Sequence, residues 1–142
     1  MSRWRAWITG AGGLIGHQLL LAAPRRAPDW EVRGLTRESL DLADFEAVTR
    51  AFTAQRPALV IHCAALSGSA ACEADPKLAA KLNVSVTHHL CNLAAGIPFF
   101  FFSTDLVFDG RKGSYIESDA VNPLSVYAAT KAEAERGVLR SP

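Results

Sequence analysis

Tyr127 stands four residues before Lys131 in "SVYAATKAEAERGVLRSP" (125–142). In a helix this spacing puts a phenol and an ammonium on one face, one turn or ~6 Å apart. A phenol with a pKa near its ordinary value of about 10 is a poor acid–base group at neutral pH. A neighbouring positive charge lowers that value and makes proton transfer easier. Taken alone, the pair also suits a solvated helix face. It needs a cofactor and a substrate, held by other parts of the chain, before it can act.

"ITGAGGLIG" (8–16) supplies a candidate cofactor loop. Gly10, Gly13 and Gly16 follow the spacing G-x-x-G-x-x-G, and Gly12 adds a fourth glycine. A pyrophosphate needs a tight turn, close backbone approach and close packing of helix on strand, and the helix N-terminus then offers free N–H groups and a positive dipole. Gly10, Gly12, Gly13, Leu14, Ile15 and Gly16 are therefore candidate dinucleotide contacts. The same glycines suit a plain tight turn. The setting after a strand and before a helix, at the start of a βαβ unit, favours the dinucleotide.

A site for NAD usually has an acid at the end of the second strand, to hold the ribose 2′-OH. Here that strand ends at Leu35, followed by Thr36 and Arg37. A guanidinium with a threonine suits a 2′-phosphate, so NADPH is favoured, with NAD as the alternative. Read blandly, Arg37 is a loop arginine. Asp41 and Leu42 of "LDLAD" are placed to line the adenine.

These groups need a scaffold that brings them together. Apolar runs predict strands at 4–9, 30–35, 58–64 and 98–103. Helical patterns fall at 14–23, stopped by Pro24, and at 44–55, with Asp44 as N-cap and Phe45, Val48 and Phe52 on one face. A long helix is expected over 76–96, closed by Gly96, and a last one from 124 or 125 to about 139. Strand–helix alternation with nearly continuous apolar strands implies an α/β fold, a doubly wound parallel sheet of the Rossmann type. The chain reads as one dinucleotide-binding domain, 1–142.

Composition narrows the function. The 142 residues carry 15 Lys+Arg against 14 Asp+Glu, a net charge of +1, with no basic stripe interleaved with aromatics, so no nucleic-acid partner is expected. Arg3, Arg5, Arg25 and Arg26 read as solvated positions near element ends. No apolar run is long enough to span a membrane, and the glycine-broken start is not a signal peptide. Cys63, Cys72 and Cys91 fit no metal spacing. Cys63 reads as a buried thiol in an apolar strand, and the set as reduced thiols of a cytoplasmic protein. His88 and His89 read as ordinary helix residues, and no metal is expected.

"TGAGGLIG", "DLAD", "VIHCAA", "CEADP", "FFSTDLVFDG" and "YAATK" occur in this order along the chain. Together they resemble the extended short-chain dehydrogenases/reductases, and within them the dTDP-4-dehydrorhamnose reductase family. The resemblance implies roles. Thr104 would hydrogen-bond a substrate carbonyl, Tyr127 would protonate it, and Lys131 would hold the nicotinamide ribose and lower the tyrosine pKa. Cys63, Ala64 and Ala65 would pass beside the adenosine side of the cofactor. Ser103 stands next to Thr104. Asn83 would keep a water or backbone contact, or else lie on a helix surface.

The implied activity is NADPH-dependent reduction of a nucleotide-sugar ketone. Nucleotide-sugar epimerases or dehydratases with bound NAD use the same tyrosine and lysine and form one alternative. A catalytically silent dinucleotide-binding subunit, like the regulatory subunit of methionine adenosyltransferase, forms another. Two features depart from the family. Leu106 stands where relatives often have tyrosine, and the family's C-terminal strands and substrate lobe are missing. The expectation is a cofactor-binding part with strand 98–103 buried on both faces, its edge open or covered by another chain in a homo-oligomer.

Overall fold

Strands β1 (Trp4–Thr9), β2 (Trp30–Leu35), β3 (Leu59–His62) and β4 (Phe99–Phe101) pair in the order β2-β1-β3-β4, all parallel. This is a computed structural model, and it describes residues 4–141, so Arg3 lies outside the described residues. The register aligns Thr9 with Leu35 and with His62, and His62 with Phe101. The carboxyl ends of the strands therefore share one level. Ligands of open α/β sheets bind there.

The first two strands run as their apolar patterns predict. The other two are shorter. β3 ends at His62 rather than continuing to residue 64, because the Thr9 hydroxyl accepts from the Cys63 and Ala64 amides (3.2 Å each) and draws them out of the ladder. β4 is not buried on both faces. Phe99 and Phe101 turn toward His62, while Phe100 on the opposite side is 60% exposed.

Helix α1 (Leu14–Arg26) runs through Pro24 instead of stopping before it. Proline deletes one intrahelical donor, but the helix ends only two residues later, and the Ala27 amide still reaches the Ala23 carbonyl (2.8 Å). Arg25 and Arg26 occupy its last turn, where cations complement the helix dipole. Arg5 is more than solvated: it pairs with Glu31 (2.9 Å) and donates to the Gln55 carbonyl (3.0 Å). Helix α2 (Phe45–Gln55) begins as expected, with the Asp44 carboxylate accepting from the Ala47 amide (2.9 Å). Its Val48 is buried, and Phe52 meets Trp7 edge-on at 5.3 Å.

The long helix expected over 76–96 is interrupted. It comprises α4 (Pro76–Ala80), a π turn (Lys81–Ser85) and α5 (Val86–Leu93), and Gly96 follows at φ +85°. The Val86 amide bonds to the Lys81 carbonyl, five residues back, which is the π register. A short helix α3 (Ser69–Ala74) precedes it and was not evident from the pattern. A 3₁₀ turn (Asp105–Val107) follows β4. Helix α6 (Val126–Arg140) starts at Ser125, whose hydroxyl accepts from the Ala128 amide (3.1 Å).

Helix α1 packs on β1 and β2, while α2 packs on α5 and α5 on α6. The core lies between sheet and helices and includes Trp7, Leu35, Val60, Val86 and Leu90. His89 stacks on Phe45 (4.6 Å), and His88 sits directly over Gly137. Among the described residues, no helix is long and apolar enough to cross a membrane.

Candidate functional site

A cleft of ≈ 470 Å³ opens at the carboxyl ends of the strands. The glycine loop forms its floor. Gly10 has φ +66°, and a Cβ there would lie 2.7 Å from the Ala64 nitrogen. Only glycine tolerates both conditions. A Cβ on Gly16 would overlap the Gly10 carbonyl oxygen. Gly13 serves as N-cap of α1 without a side-chain cap, so the first amides of the helix stay free for an anion. Gly10, Gly13, Leu14, Ile15 and Gly16 all line the cleft. Gly12 does not, and a Cβ there would meet nothing closer than Thr36 Cγ2 at 4.0 Å.

One wall comes from the turn after β2, where Thr36, Arg37, Asp41 and Leu42 line the cleft. The Ser39 hydroxyl ties this turn to the Thr36 amide (2.9 Å) and carbonyl (2.9 Å). Asp41 accepts from the Ala43 amide (3.0 Å), and Arg37 is exposed. Cys63, Ala64 and Ala65 form the opposite wall. Cys63 is half-buried, beyond the strand rather than inside it, because β3 stops early. Burial pushes its thiol pKa up, and the Lys131 charge opposes the rise.

Ser103, Tyr127 and Lys131 close the cleft. Lys131 is only 3% exposed; its ammonium donates to the Phe102 carbonyl (2.6 Å) and stands 3.9 Å from the centre of the Phe101 ring. Burial lowers its pKa from 10.5 to about 8, with Glu135 and then Cys63 opposing. The Tyr127 phenol is shifted upward, first by burial and then by the ionised form of Cys72, with Thr104 opposing. The expected lowering of the tyrosine by Lys131 is therefore not seen; the ammonium is turned to the strand end and the Phe101 ring. Thr104 lies beside the phenol but outside the cleft lining, its hydroxyl accepting from the Leu106 amide (3.2 Å).

Asn83 is neither a helix-surface residue nor part of the cleft wall. It is 1% exposed, accepts from the Leu66 amide (2.7 Å), and donates to the Leu66 carbonyl (3.1 Å) and the Thr130 hydroxyl (3.0 Å). It clamps the turn after β3 to α6. Leu35, Leu40, Leu66, Ser67, Leu82, Val86 and Phe102 also line the cleft and were missed. The i,i+4 spacing of Leu82 and Val86 marks one helix face, yet nothing local says which space that face meets.

The family model described as the RmlD substrate binding domain matches residues 4–142. Methionine adenosyltransferase 2 subunit beta of Xenopus laevis is 36% identical over 96% of this chain and 43% of its own length. The dTDP-4-dehydrorhamnose reductase of Streptomyces griseus is 38% identical over 96% of this chain and 45% of its own. The chain thus spans under half the length of these curated relatives. The crystal structure of the Bacillus anthracis dTDP-4-dehydrorhamnose reductase in complex with NADP superposes with a TM-score of 0.91 at 26% identity, covering 99% of this chain and 51% of that one. That family model covers nearly the whole chain, and the chain belongs to the RmlD substrate binding domain family.

Proposed function

We propose that the chain is the dinucleotide-binding part of a cytoplasmic, NADPH-dependent reductase of a nucleotide-sugar ketone, with 1–142 as that domain. The observation that carries this reading is one cleft lined at once by the glycine loop, by Thr36 and Arg37, and by Tyr127 with Lys131. The residues fit such a cofactor. The uncapped start of α1 suits a pyrophosphate, and Gly10 and Gly16 leave backbone bare where a Cβ would intrude. The exposed Arg37 supplies a cation for a 2′-phosphate, which argues for NADPH over NAD and against the epimerase alternative. The reductase names among the relatives, and the NADP in one of them, support the substrate class and the cofactor.

When bound, NADPH supplies the hydride. Tyr127, kept protonated by its raised pKa, gives its phenolic proton to the carbonyl oxygen that becomes a hydroxyl. Thr104, beside the phenol, would turn its hydroxyl hydrogen from the Asp105 carboxylate (3.4 Å) to that oxygen. Lys131 has one donor on the Phe102 carbonyl, leaving two for the cofactor ribose. Phe100, exposed on the edge strand, supports the further proposal that a second copy or another chain covers β4; a monodisperse monomer by light scattering counts against that.

The test is NADPH fluorescence on titration, followed by oxidation with a nucleotide 4-keto-sugar. Saturable binding with turnover is the expected result. Binding without turnover favours a second reading, a catalytically silent dinucleotide-binding subunit. The 36% identity to a methionine adenosyltransferase beta subunit supports that second reading. Failure to bind either dinucleotide overturns both.

A further inference from the structure

A chain of buried hydrogen bonds runs behind the cleft without touching its lumen. His62 has no exposed surface. Its Nδ1 lies 2.6 Å from the Thr9 hydroxyl and its Nε2 3.0 Å from the Thr87 hydroxyl. The direction of each bond follows from counting hydrogens. The Thr87 hydroxyl donates its single hydrogen to the Asn83 carbonyl (2.7 Å), so toward His62 it accepts. Nε2 therefore carries the imidazole hydrogen, and Nδ1 is bare. Thr9 must donate to Nδ1, which leaves its two lone pairs for the Cys63 and Ala64 amides (3.2 Å each). Each donor and acceptor of the Thr9 hydroxyl is then used once.

The far end of this relay is the seam of the cleft. Thr9 immediately precedes Gly10, and Gly10 is the residue whose backbone packs against Cys63 and Ala64. The near end is the π turn, whose Asn83 side chain holds Leu66 and the Thr130 hydroxyl, while Thr130 donates to the Tyr127 carbonyl (2.7 Å). One imidazole thus links the glycine loop, the turn after β3 and the helix of Tyr127.

We propose that His62, as its neutral Nε2–H tautomer, is a positioning residue that sets the turn of Cys63 and Ala64 against the glycine loop, and so the width of the dinucleotide cleft. The ligand part rests on the dinucleotide reading above. A bare Nδ1 is what obliges Thr9 to point its hydrogen at the ring and its lone pairs at the two amides. A ring protonated on Nδ1 would turn the Thr9 hydroxyl around and leave those amides short of an acceptor.

Two measurements need no cofactor. Long-range proton–nitrogen NMR on the wild-type chain should give the Nε2–H pattern for His62 at neutral pH. In Thr9→Val, which keeps the shape and removes the hydroxyl, hydrogen exchange at the Cys63 and Ala64 amides should speed up more than at the other amides of the strand ends. A third measurement reads function. Thr9→Val and Thr87→Val, each with wild-type circular dichroism, should bind NADPH about tenfold more weakly, as expected when a buried group loses its partner, and Thr9→Ser should recover most of the loss. An Nδ1–H or imidazolium pattern overturns the proposal, as do unchanged amide protection or wild-type affinity in both valine variants. A wild-type chain that fails to bind any dinucleotide overturns the dinucleotide reading, and the NMR and exchange results then decide the relay by themselves.

Discussion

Two polar networks hold this protein, and they are built on opposite principles. The first, Thr9–His62–Thr87–Asn83, is buried between sheet and helices, and its two bonds to His62 join residues 53 and 25 apart in sequence. The second lies in the segment after β4, where Asp109 gathers the Tyr115 hydroxyl (2.6 Å), the Arg111 amide (3.0 Å) and the Asn122 amide group (3.0 Å). Lys112 and Asp119 pair beside it at 2.5 Å. These bonds stay within one segment, and most of them are exposed to water. A buried polar group without a partner costs far more than an exposed one, which water can serve. Disturbing the first network should therefore reach the cleft, and disturbing the second should stay where it is made.

The largest effect should come from the seam itself. Gly16→Val drives a branched side chain into the Gly10 carbonyl, so it should abolish NADPH binding and cost about 3 kcal/mol or more in urea unfolding. Gly12→Ala, in the same loop but facing open space, should stay within about 0.5 kcal/mol of wild type. Equal losses from the two would mean that the loop's glycines act through chain entropy rather than contact.

Acid should come next. Burial, then the Lys131 charge, lowers the His62 pKa from 6.5 to about 3. Below 6.5 the unfolded chain takes up a proton that the folded chain refuses until about pH 3, so stability falls as pH falls through that window. The slope from this one group approaches ~1.4 kcal/mol per pH unit. Chemical denaturation at a series of pH values should show it in the wild type, and His62→Asn should flatten it. An unaltered slope in the variant would assign acid sensitivity elsewhere.

Lys131→Met should move stability and activity in opposite directions. Lowering the lysine pKa from 10.5 to about 8 corresponds to up to about 3 kcal/mol spent on burying the ammonium. Methionine removes that cost and forfeits the bond to the Phe102 carbonyl, worth about 1–1.5 kcal/mol. A net gain of about 1–2 kcal/mol is expected, together with loss of any turnover. In the wild type the unfolded chain holds more protons between about pH 8 and 10.5, so stability should rise with pH there, and the rise should vanish in the variant. A less stable variant would show that the ring of Phe101 and the carbonyl hold the charge better than water does.

What could be read from the sequence was what spacing alone dictates. β1, β2 and the cap of α2 were legible because uninterrupted apolar runs and an Asp44 side chain act within a few residues of themselves. The glycine loop and the Tyr127–Lys131 pair were legible for the same reason. The early end of β3, the π turn and the burial of Asn83 were not. Each is set by a side chain bonding backbone far away, as Thr9 does to Cys63 and Asn83 to Leu66. Polar residues at the ends of apolar strands were visible in the sequence, but that Thr9 and His62 face one another depends on a register no local pattern fixes.

Asp109→Asn is the smallest expected effect and the sharpest check on the contrast. Hydrogen bonds, led by that from Tyr115, hold the Asp109 carboxyl at about pKa 2, below its ordinary 3.8. A depressed carboxylate stabilises the fold fully above its ordinary value, and the contribution is lost as pH falls toward 2. The amide has one acceptor oxygen in place of two and turns an N–H₂ toward a neighbour that also donates. A fall of at most a few degrees in thermal midpoint is expected at pH 7, shrinking as pH falls below about 4. The cluster is only partly buried, so water can replace much of what is lost, and NADPH affinity and the exchange of the Cys63 amide should not change. If Asp109→Asn weakens NADPH binding as much as Thr9→Val does, the two networks are one. The segment after β4 would then be part of the cleft's support rather than a loop that only holds itself.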